Sequence, residues 1–131
     1  MKLTCLSVLI LFALNSNAGE WIAIGEQKAF PIQKEFESNM WKYLTKTNIE
    51  FQPREKYRFQ YQFLNHNIVH VNALCIPKPQ KNSPIGTYPG PTNEYLRSQL
   101  YVVEDGGSCF FNFNYNIKKR KFSELYVNGL A

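Results

Sequence analysis

A chain of 131 residues with three cysteines and a formal net charge of +5 has room for one domain around a single core, at a size where a cross-link usefully supplements burial. No internal repeat or second domain is evident. The basic excess does not describe a nucleic-acid face. Much of it is the run Lys118-Lys119-Arg120-Lys121 between two strand patterns, whereas a phosphate-reading surface spreads cations over a face among aromatics; no nucleic-acid partner is expected.

Residues 1–18 read as a cleaved secretory leader, with Lys2 as a positive start, an apolar run from Leu6 to Leu14, and Ser16-Asn17-Ala18 as a small-residue cleavage pattern before Gly19. A membrane anchor would need about 20 apolar residues, and Asn15 to Asn17 interrupt too early. Cys5 leaves with the leader, and no cysteine stands at the cleavage point to take a lipid. The remaining domain, 19–131, is expected to be secreted or periplasmic and not membrane-spanning. Cys75 and Cys109 then form an even pair in an oxidising compartment, which reads as a disulfide rather than a metal or redox site.

After the leader, Glu20 to Ile24 is a short apolar patch ended by Gly25, an edge strand or a flap over the core. Pro31 suits the first turn of a helix. Ile32, Phe36, Met40, Tyr43 and Leu44 then recur at steps of three and four, with charged residues between them. This predicts one amphipathic helix ending near Asn48, with Trp41 at the margin of its apolar stripe.

From Tyr57 the period changes to two. Tyr57, Phe59, Tyr61 and Phe63 oppose Arg58, Gln60 and Gln62, a strand with one wet face. Asn65-His66-Asn67 follows as a turn. Residues 68–75 form the next strand, partly apolar on both faces and therefore expected to be central. Residues 76–98 hold Pro77, Pro79, Pro84, Pro89 and Pro91 with little periodicity, so they cannot be an element interior. Connections of this length inside compact domains are usually binding loops or disordered insertions.

The stretch 100–117 predicts a hairpin, because Asp105-Gly106-Gly107 has the chemistry of a tight antiparallel turn. Beyond it, Cys109, Phe111, Phe113, Tyr115 and Ile117 alternate with Phe110, Asn112, Asn114 and Asn116. A last strand spans 122–127, closed by Asn128-Gly129. The expected fold is α+β, with one N-terminal helix on a four- to five-stranded antiparallel sheet and one disulfide.

That element order resembles the broad cystatin-like class. The runs D-G-G-S-C-F-F-N-F-N-Y and V-N-G-L-A resemble small exported bacterial proteins of unknown role. The inhibitory signature Q-x-V-x-G of cystatins is missing, since Gln60-Tyr61-Gln62-Phe63-Leu64 has no glycine. No Pro-Trp pair occurs in the second hairpin. Protease inhibition is not implied.

Catalytic readings are weak. Gly107-Ser108-Cys109-Phe110 is similar to the surroundings of a papain-type nucleophile, with His70 imaginable as its base, but Cys109 opens a strand and has Cys75 to pair with. His66 and His70 would grip a metal from a helix, and here they span a turn and a strand. Asp105 and Glu104 point to opposite sides of a strand. No catalytic residue, metal or cofactor is expected.

The reading is an exported, non-catalytic domain that recognises a protein or envelope component through the 76–98 loop. Tyr88 and Tyr95 are its contact rings and His66 a candidate in the adjoining turn. Two alternatives are a small hydrolase or ligand-pocket protein, with a cavity between helix and sheet served by His70 or Asp105, and an accessory subunit of an envelope assembly.

Overall fold

The computed structural model describes residues 19–28, 30, 32–75, 90–104 and 106–129. The expected leader, Pro31, Asp105, Tyr88 and the other prolines of the loop apart from Pro91 lie outside them. The elements in chain order are β1 (Glu20–Ala23), α1 (Lys34–Thr45), β2 (Arg58–Phe63), β3 (Ile68–Leu74), α2 (Asn93–Ser98), β4 (Phe110–Asn116) and β5 (Lys121–Val127). No helix among the described residues is long and apolar enough to cross a membrane.

The strands form one five-stranded sheet in the order β1-β2-β3-β4-β5, with β3 at its centre as its two-sided apolar pattern predicts. The sheet is mixed rather than antiparallel. β1 runs parallel to β2, with Trp21 opposite Phe59, and the other pairs are antiparallel. The reversal has a simple cause: the chain crosses to the far face to form α1 before returning as β2, and such a crossover delivers the next strand in the same direction.

α1 is the main helix, and it follows β1 rather than leading the fold. Its stripe of Phe36, Met40, Trp41 and Leu44 is buried against Tyr57, Phe59, Val69, Val71, Phe111 and Phe113. Trp41 is fully part of this core rather than marginal, with the Arg54 guanidinium 5.5 Å from its ring centre. The helix stops where threonine hydroxyls turn back on it, Thr45 donating to the Trp41 carbonyl at 2.8 Å and Thr47 to the Leu44 carbonyl at 2.7 Å. Aromatic rings fill the space between α1 and the sheet, many of them edge-on, as in Phe36 on Tyr115 at 4.9 Å and Tyr57 on Phe111 at 5.2 Å. Burial raises the Glu37 carboxyl above the ordinary glutamate range, against weaker lowering by the Trp21 indole N–H and by Arg54. That indole N–H is buried without a partner of full hydrogen-bond geometry.

Cys75 and Cys109 are bonded, with Cα atoms 4.9 Å apart. The Cys75 N–H also donates to the Cys109 carbonyl at 3.0 Å. The cross-link therefore prolongs the β3–β4 ladder by one rung, at the point where the chain leaves β3 and later rejoins β4.

The predicted hairpin around Asp105-Gly106-Gly107 is not formed. Residues 100–104 are not a strand, and β4 pairs with β3 and β5 instead. The glycines are used for positive φ, Gly106 at 115° and Gly107 at 59°, but they swing the chain through a 3-10 turn, Gly107–Cys109, into β4. A second difference is α2, a helix inside the stretch expected to lack one. Thr92 caps it by accepting from the Tyr95 N–H at 3.1 Å.

Candidate functional site

α2 and residues 99–103 lie on the face of the sheet opposite α1. Leu96 of α2 is fully buried against Ile22 and Leu74, with Tyr101 and Phe110 at the margin of this second cluster. Burying one leucine does not fix a strap. Its backbone is held by side-chain amides that rise from the sheet.

Gln60 is fully buried and uses every hydrogen-bonding position it has. Its Nε2 donates to the Leu96 and Gln99 carbonyls, each at 2.8 Å. Its Oε1 accepts from Asn72 Nδ2 and from the Tyr101 N–H, each at 2.9 Å. The second Asn72 Nδ2 hydrogen reaches the Tyr101 carbonyl at 3.0 Å, and Asn128 Nδ2 donates to the Val103 carbonyl. Gln60 and Asn72 face each other across β2 and β3. The strap thus crosses the sheet with its polar backbone groups met by amides, which is why 99–103 looks extended in sequence and forms no ladder.

Arg58 secures the other end. It donates to the Pro91 carbonyl at 3.3 Å and to Asn93 Oδ1, and contacts Glu20 at 3.4 Å. The Gly25 N–H bonds the Arg97 carbonyl at 2.7 Å. What this mount displays is apolar: Tyr95 is 39% exposed and Val102 75%, and the Tyr95 ring stands edge-on to Tyr101 at 6.1 Å. Tyr88 lies outside the described residues.

The rest of this face is open and polar. The cross-strand row Gln62, His70, Asn114 and Ser123 contains a hydrogen-bonded chain. Asn114 Nδ2 donates to Glu124 Oε2 at 2.6 Å, and Asn114 Oδ1 lies 2.7 Å from His70 Nδ1. Glu124 can only accept, so the amide nitrogen faces it and the amide oxygen faces the imidazole. His70 Nδ1 is then the donor of that hydrogen bond. Glu124 owes its place to a bulge in β5, where the register passes from Asn112–Tyr126 to Asn114–Ser123 and its own φ is 54°.

No protein-family model, curated protein or solved structure matches the chain. Asn114 and Glu124 orient His70, and the row can accept and donate hydrogen bonds to a polar ligand. His66 lies in the exposed turn between β2 and β3, one strand end away from His70. Cys109 is committed to the disulfide and is no nucleophile. Near the end of α1, Tyr43, Lys46, Thr47, Ile49, Leu125, Tyr126 and Val127 line an open concavity of about 600 Å³. It lies between the C-terminal end of α1 and the edge strand β5.

Sequence reasoning missed the strap and its clamp. The available signal was a pair of amides, Gln60 and Asn72, on the second face of strands whose first face is apolar. Such residues are ordinary on a wet face and become a clamp only when another segment covers them.

Proposed function

We propose that this chain is an exported, non-catalytic binding domain that recognises a protein or envelope component through the 76–98 loop and its continuation on the strap. The observation that carries the reading is the rigid display of Tyr95 and Val102 on backbone held by Gln60, Asn72 and Arg58. Exposed rings and aliphatic side chains on a fixed mount lose little entropy on contact, so they contribute efficiently to an interface. Export is supported by the Cys75–Cys109 bond, which is stable in an oxidising compartment. His70, oriented by Asn114 and Glu124, favours as a second reading a small hydrolase or ligand-binding protein acting on the open face.

The test is capture by immobilised protein from periplasm and culture medium, with three forms compared. Tyr95→Ala combined with Val102→Glu is expected to lower capture of the recovered partner at least about ten-fold, since a buried interface ring can carry 2 kcal/mol or more. The same change should leave the melting temperature within about 2 °C. His70→Ala should leave capture unchanged. If instead the His70 change abolishes capture and the Tyr95 and Val102 changes do not, the open face is the site and the second reading replaces the first.

A further inference from the structure

The turn between β2 and β3 and the turn between β4 and β5 lie at the same end of the sheet, joined by the Ile117 N–H donating to the Asn67 carbonyl at 2.8 Å. Neither turn belongs to the strap. Lys118, Lys119, Arg120 and Lys121 are all exposed, and among the described residues the ion pair that forms, Arg58 with Glu20, lies elsewhere. Leu64, at the start of the β2–β3 turn on the same end of the sheet, is 55% exposed. Lys28 adds a further cation, its Nζ 5.7 Å from the centre of the Phe63 ring. Arg120 also holds a φ of 54°, a left-handed conformation that glycine adopts freely and arginine adopts at a cost. A turn that only had to reverse the chain would be better served by glycine there.

We propose that this end of the sheet docks on an anionic lipid bilayer, the cations meeting headgroup phosphates while Leu64 enters the interface. Charge complementarity identifies the partner, because a cluster of unpaired cations on one rigid tip is drawn to a negative surface potential. The exposed leucine distinguishes a bilayer from a purely ionic polymer, since only the bilayer offers apolar depth to receive it. Asn65 supports the geometry by accepting from the Asn67 and Ile68 N–H groups, each at 2.9 Å, so the leucine-bearing turn is shaped before contact.

The experiment is sedimentation of the full mature protein with vesicles of phosphatidylcholine alone and of phosphatidylcholine mixed with phosphatidylglycerol. Binding is expected with the mixed vesicles, and it should be screened by salt. Each cation removed should weaken it about five-fold, so Lys118→Gln, Lys119→Gln and Lys121→Gln together should weaken it about a hundred-fold. Leu64→Ala should cost on the order of ten-fold without altering charge. Arg120→Gly is the discriminating variant: it should hold or raise the melting temperature while lowering vesicle affinity about five-fold. Tyr95→Ala with Val102→Glu should leave vesicle binding unchanged, which separates this surface from the strap. Equal binding to both vesicle types, or indifference to the tip variants, would overturn the proposal. Tighter binding to duplex DNA than to the mixed vesicles, insensitive to Leu64→Ala, would also overturn it and assign the tip to a polyanion.

Discussion

Replacing Gln60 by leucine is expected to lower stability by about 3 kcal/mol, seen as a fall in melting temperature of more than about 10 °C for a domain of this size. The two side chains are close in volume, so packing is not the source of the loss. The Leu96 and Gln99 carbonyls and the Tyr101 N–H lose this partner at once, and Asn72 Nδ2 keeps only its bond to the Tyr101 carbonyl. Each orphaned buried polar group costs roughly 1–3 kcal/mol. The total is capped because the strap can lift and let water in. Gln62→Leu, on the same face of the same strand but half-exposed, is expected to stay within about 0.5 kcal/mol of the wild type. Equal effects at the two positions would mean that the strap is held by something other than the amides.

The second large effect is expected at the disulfide. Cys75 and Cys109 are separated by 34 positions, and closing a loop of that length removes denatured-state entropy equivalent to roughly 3.5–4 kcal/mol. Replacing both cysteines by alanine should lose most of this. Cys75 is nearly fully buried, so the loss includes a small packing contribution. Denaturant titration of the oxidised protein, the reduced protein and the double variant measures it, and the two thiol-free or reduced forms should agree. A loss well under 1 kcal/mol would mean that the β3–β4 ladder and the clamp already restrain the connection in the denatured ensemble. Intact mass after alkylation under denaturing conditions should find Cys75 and Cys109 unmodified before reduction.

Much of the scaffold was legible because its pattern is local. The steps of three and four from Phe36 to Leu44 place α1, and the alternation in β2, β3 and β4 places those strands with the correct inward faces. The cysteine pair was legible from parity and from the compartment expected of a chain with a leader-like start. What failed was non-local. Leu100 to Glu104 has the composition of a strand, yet its backbone partners come from Gln60, Asn72 and Asn128, more than twenty positions away. Periodicity does not encode direction, so the parallel pairing of β1 with β2 was hidden. α2 is too short for its spacing to register, and its one cue is Thr92 at the capping position after Pro91. The chain from His70 through Asn114 to Glu124 depends on the register of three strands and on the β5 bulge, and none of the three residues signals it alone.

The most direct test of the account is amide hydrogen exchange at Tyr101 in the unmodified protein. Its N–H bonds the side-chain oxygen of a buried glutamine. If the strap is a fixed mount for recognition, this amide should exchange at least about a hundred-fold more slowly than an unprotected one, and Gln60→Leu should abolish that protection while the amides of Val71 and Phe113 stay protected. Rapid exchange at Tyr101 in the unmodified protein, beside a protected sheet, would show that the strap moves freely and would contradict the rigid display on which the functional reading rests.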